Sequence, residues 1–96
     1  MILHTVKQSP FVDLTLSQAL AAMGQDDLLL LLENGVIASA AAHAYFAQLT
    51  ELAAQGRLFL IEDDLKARGV TALVGKPIDY SGFVDLITQT HTSLAW

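Results

Sequence analysis

Five consecutive leucines stand between two acids and a turn, "DDLLLLLENGV" at 26–36. The run has no polar face, so neither a surface helix nor a half-wet strand accommodates it. It is too short for a free-standing helix and lacks the alternation of a strand with one solvated side. A continuous apolar run of this length, bounded by turn formers, suits a central strand covered on both faces. Asn34-Gly35 is also a good hairpin turn, but the residues that follow read as a helix. From 38 to 55 the chain is nearly free of β-branched residues, and Ala42, Tyr45, Phe46, Leu49, Leu52 and Ala53 form one apolar stripe ended by Gly56.

The flanking segments extend this pattern. Ile2 to Val6 reads as a strand, broken by Ser9-Pro10. Leu16, Ala19, Leu20 and Met23 fall at helical spacing within 13–23, with Asp13 or Thr15 as cap and Gly24 as stop. Residues 57–61, "RLFLI", read as a third strand. Glu62-Asp63-Asp64 open a short helix with acids first, Lys66 and Arg68 lie near its end, and Gly69 closes it. Residues 72–74 are a weak strand, 75–77 a turn, and 78–80 a short extended piece. Asp79 or Ser81 caps a last helix carrying Phe83, Val84 and Ile87. The tail "HTSLAW" ends on Trp96, a side chain expected to pack on the domain or a neighbour. Strand and helix alternate, the pattern of one small α/β domain over 1–96, a mainly parallel sheet covered by helices. The leucine strand is buried beneath helices at 13–23 and 38–55. Its carboxyl end offers Glu33, Asn34 and Gly35 at the edge where open α/β sheets place their sites.

Composition bounds the function. Fifty-three per cent of the 96 residues are hydrophobic and 16% charged. A domain this small buries only about 60–65% of its extended surface, so a large apolar face is expected to meet a partner. Ten acids against five bases leave a net charge of −5, the wrong sign for direct nucleic-acid binding, and no basic run supplies a membrane patch. The opening segment is too short for a signal peptide and no run reaches membrane-spanning length, so a cytoplasmic protein is expected. Cysteine is absent, which excludes disulfides and thiol chemistry.

Candidate chemistry is sparse. His4, His43 and His91 share no metal-ligand spacing, and no phosphate-binding glycine loop or GxSxG elbow is present. No metal or cofactor is expected. His4, within the first strand, reads as a structural group before a site, and His43 shares one helix side with Ala47 and Thr50. Glu62, Asp63 and Asp64 read as a helix start before a docking patch. These residues fit a scaffolding subunit. They also leave open a self-contained homo-oligomeric binding protein or small hydrolase, with a pocket above Gly35 lined by Glu33, His4 or Asp79.

Five motifs in order resemble the TusB/DsrH family: "ILHTV" with "SPF", "LLLLENGV", "DLKARG", "IDYSGFVDL" and a closing "AW". The resemblance spans essentially the whole chain. It implies a small Rossmann-like layered fold of the DsrE/F type. It also implies a place beside TusC-like and TusD-like subunits in a dimer of heterotrimers that relays persulfide sulfur. TusA-like and TusE-like carriers stand on either side of that relay, which ends in 2-thiouridine at the tRNA wobble position. Related DsrEFH complexes act in sulfur oxidation. The reacting cysteine belongs to the TusD-like or DsrE-like subunit. A chain with no cysteine is then a structural, non-catalytic member, leaning toward the TusB branch, because persulfide transfer needs a thiolate. Made alone, it is expected to self-associate. The family's motif positions here are His4, Ser9, Pro10, Gly35, Asp64, Arg68, Gly69, Asp79, Tyr80, Phe83 and Trp96, as interface or motif residues without a catalytic role. Arg68 either pairs with a partner's carboxylate or with Asp64 one turn back.

Overall fold

The computed structural model describes residues 1–96. Its strands are β1 (Ile2–Val6), β2 (Leu28–Leu31), β3 (Leu58–Ile61), β4 (Lys76–Ile78) and β5 (Thr92–Ala95). Its α-helices are α1 (Thr15–Ala22), α2 (Phe46–Ala54), α3 (Glu62–Arg68) and α4 (Tyr80–Gln89), and a 3-10 helix spans Glu33–Ser39. All five strands run parallel in the order β4-β3-β2-β1-β5. The expected mainly parallel α/β fold is therefore the fold observed.

The leucine run lies at the centre of the sheet, and every residue of β2 is buried. Alternation along the strands sorts two cores. Val6, Leu29, Leu31, Leu58 and Leu60 face Leu16 and Ala19 of α1, Val36 and Ala38 of the 3-10 helix, Leu49 of α2 and Leu65 of α3. Leu3, Leu28 and Leu30 face Leu86 of α4, with Phe59, Ile61, Ile78 and Phe83 partly buried around them. One face thus has four helical segments over it and the other has α4 alone.

Two expectations need correction. The continuous helix over 38–55 is instead the 3-10 helix, an irregular link and α2. The link is held by tertiary and side-chain bonds that outweigh alanine's helix propensity. Leu73 donates its amide to the Ser39 carbonyl at 2.8 Å, and buried Ser39 donates its hydroxyl to Val36 O. His43 lies in this link, not on a helix. Its Nδ1 accepts the Tyr45 amide, which leaves Nε2 to donate to Ala38 O at 2.7 Å.

The weak strand at 72–74 is irregular, and the strand begins at Lys76, inside the expected turn. Gly75 takes φ +94° against the side chains of Leu58 and Leu60, where a Cβ would be crowded. That turn delivers Pro77 to an edge strand, where its missing N–H costs least. The tail, to which the sequence assigns no element, contributes β5 at 92–95, parallel to β1, with all four residues exposed.

Candidate functional site

At the carboxyl edge, the end of β2 is held from two directions. Leu32 donates its amide to the Val6 carbonyl at 3.1 Å. Gly35 lies so close to that carbonyl that a Cβ would overlap its oxygen. Glu33 between them is the one non-glycine residue with positive φ, at 51°, an uncommon conformation. Asp64, in the first turn of α3, accepts the Glu33 amide on Oδ2 at 2.7 Å. Arg68, one turn later, donates Nε to Asn34 Oδ1 at 2.8 Å and Nη1 to the Asp64 carbonyl at 3.2 Å. Its Nη1 also lies 3.6 Å from Asp64 Oδ1. Arg68 therefore pairs within its own chain, with its fork spread over the Asp64 and Asn34 that flank the turn. Gly69 ends α3 in the left-handed conformation, φ +63°.

A second polar group ties both chain ends to β2. His4 on β1 is 1% exposed. Trp96 Nε1 donates to His4 Nδ1 at 3.0 Å, and the rings stack with centroids 6.0 Å apart. Because indole N–H only donates, Nδ1 accepts and Nε2 carries the proton. It points at Asp27 Oδ2, 2.9 Å away. Asp27 also accepts the amides of Ile2 at 2.9 Å and Gly24 at 2.9 Å. Burial alone would raise the Asp27 carboxyl. Hydrogen bonds from Gly24, His4 and Ile2 outweigh it and hold the carboxyl down at about 2. His4 is thus a satisfied core histidine, and Trp96 packs on its own domain.

The other motif residues serve local structure. Ser9 is buried and its hydroxyl accepts the Phe11 amide, which fixes the turn through Pro10. Asp79, rather than Ser81, caps α4 and accepts the Gly82 amide at 2.8 Å. Tyr80 is 76% exposed and meets Phe83 edge to face at 6.2 Å. Asp64 and Arg68 come together around the turn that holds Gly35, Gly69 ends their helix, and His4 and Trp96 meet at another point. Asp79, Tyr80 and Phe83 stand apart at the start of α4.

The pocket of the alternative reading would sit above Gly35. The Val6 backbone occupies that space, His4 is committed to Asp27 and Trp96, and Asp79 is a cap. The three main clefts are lined by other residues. Both nitrogens of His4 and of His43 are taken up by hydrogen bonds within the fold, His4 with Asp27 and Trp96 and His43 with Ala38 O and the Tyr45 amide. No three His, Asp or Glu side chains converge on a metal-sized position. No helix is long and apolar enough to cross a membrane.

Two residues escaped sequence reasoning. Asp27 looked like a strand boundary, because its partner His4 lies 23 positions away. Arg57 opens "RLFLI", yet its guanidinium bonds the carbonyls of Asp27 and Gly24 and the Gln55 side chain. A charge set directly against an apolar strand was the available signal for each.

The family model described as "DsrH like protein" matches residues 8–93. The chain is 34% identical to "Protein TusB" of Escherichia fergusonii over 98 residues, covering 99% of this chain and all of that protein. It is 35% identical to "Protein TusB" of Cronobacter sakazakii over 99 residues, with the same coverage. The crystal structure of the ychN protein from E. coli superposes with a TM-score of 0.76 at 16% identity, over 99% of this chain and 97% of that one. That last likeness concerns the fold. Family model and full-length identity show that the chain belongs to the DsrH/TusB family.

Proposed function

We propose that this chain is the structural, cysteine-free subunit of a persulfide relay complex that feeds 2-thiouridine formation at the tRNA wobble position. The observation that carries the reading is identity above 30% along the full length of proteins named TusB, in a chain with no cysteine. Without a thiolate the subunit accepts no persulfide, so the relay step belongs to another chain. The partners are TusC-like and TusD-like siblings in a dimer of heterotrimers, with TusA-like and TusE-like carriers delivering and receiving sulfur in the cytoplasm.

The site geometry supports a scaffold role. Its polar groups are spent on holding backbone: Asp64 and Arg68 fix the β2 turn, and His4, Asp27 and Trp96 fix the chain ends. None is left flanking a nucleophile. A clean deletion in the native host should lower wobble 2-thiouridine, measured by mass spectrometry of digested tRNA. Plasmid-borne wild type should restore it. Normal 2-thiouridine in the deletion strain would refute the tRNA role and leave the sulfur-oxidation branch of the family as the setting to examine.

A further inference from the structure

β5 is the strand with the least side-chain anchorage. It lies at the sheet edge and pairs only with β1. All four of its residues are exposed, and none enters either core. Backbone bonds alone hold such a strand weakly, because they exchange with bonds to water at small net gain. The side chain that fastens it belongs to the next residue. Trp96 donates its amide to the Thr5 carbonyl at 3.0 Å and its indole Nε1 to His4 Nδ1 at 3.0 Å, with the two rings stacked.

The other half of this clasp can take a proton. Neutral His4 carries its proton on Nε2, held by Asp27, so Nδ1 is the one place where a second proton can go. The indole N–H occupies that place, and a donor cannot face a donor. Clasp and second proton are therefore mutually exclusive. Asp27 gives the charged ring a partner, since its carboxylate stays ionised down to about 2 and lies 2.9 Å from Nε2. It is the one ionisable group bonded to the ring. His4 shares the side of β1 on which Val6 meets α1, and α1, β2 and β5 carry no ionisable side chain. Lys7 and the Met1 amino group lie beyond the two ends of β1, and Asp26 is exposed. Arg57 bonds the carbonyls of Asp27 and Gly24, not the carboxylate. We propose that β5 is a releasable strap, clasped by Trp96 on neutral His4 and opened when His4 takes a proton on Nδ1. The open strap binds one proton more than the closed one, so falling pH favours opening. Opening bares the backbone edge of β1 and leaves both cores in place.

The test is amide hydrogen exchange of the full chain between pH 8 and pH 5, read by mass spectrometry and corrected for the intrinsic pH dependence of exchange. Far-ultraviolet circular dichroism verifies that the chain is folded at each pH. Amides of β5 and Trp96 should be far less protected than those of β2 throughout, as a local opening requires. Their protection should fall toward pH 5 by at most about tenfold per pH unit, the limit for one proton. Trp96→Phe keeps a ring to stack and removes the N–H. It should lower β5 protection at pH 8 roughly tenfold, the loss of one hydrogen bond, and abolish the pH dependence. His4→Gln, with no group to titrate, should also abolish it. Constant β5 protection in folded wild type would overturn the proposal. So would an undiminished pH dependence in Trp96→Phe, which folds without the titrating contact. Protection of β5 equal to that of β2 would overturn it as well, since the strand would then open only with the whole domain.

Discussion

A methyl group at residue 35 would overlap the Val6 carbonyl oxygen, and neither partner is a flexible side-chain tip. The Val6 carbonyl is also the acceptor for Leu32, so moving it breaks a bond between β1 and the end of β2. Gly35→Ala should cost about 3 kcal/mol, read as a lower urea midpoint at unchanged slope. Asp27 governs a second residue-scale effect. Its carboxyl falls from the usual 3.8 to about 2 in the folded chain, so between those values the unfolded chain binds more protons. The associated stability, about 2 kcal/mol, is fully present above pH 4 and is lost as pH falls through about 2. Stability curves for wild type and Asp27→Asn should therefore converge in slope above pH 4. Below it, wild type should lose stability more steeply by up to one proton's worth. Parallel curves down to pH 2 would contradict the Asp27 network.

Elements differ in how much of their cause is local. The β2 run, β3 and α3 were legible because their signals are their own: continuous leucines, "LFLI", and acids first with Gly69 last. The site's glycines and its Asp64–Arg68 spacing were legible for the same reason. The irregular link at 40–45 was not. Its alanines favour α-helix, and the bonds that prevent it come from Leu73 and His43. β5 was also hidden, because "TSLA" has no alternation and becomes a strand only beside β1, some 90 positions away. The His4–Asp27–Trp96 group was illegible for that reason too. At the element scale, Asp79 is the side-chain cap of α4. Asp79→Ala should cost about 1 kcal/mol, seen as a lower thermal midpoint, whereas Ser81→Ala should change it little.

For the whole molecule, the excess of apolar residues noted in the composition has a location. The exposed large side chains include Tyr80, Val84 and Ile87 on α4, and also Phe11, Val12 and Leu14 in the segment leading to α1. A chain of 10.3 kDa with one sheet face under a single helix fits a subunit better than a solitary protein. Its polar sites are internal ties, and under the proposed function the chemistry belongs to the chain that brings the thiolate. The central claim is therefore about company. The most direct test is native mass spectrometry of the tagged chain purified from its own host at native expression. The account predicts this chain together with two different small α/β siblings, two copies of each, one sibling bearing a reactive cysteine. A lone homo-oligomer, stable without either sibling, would contradict it.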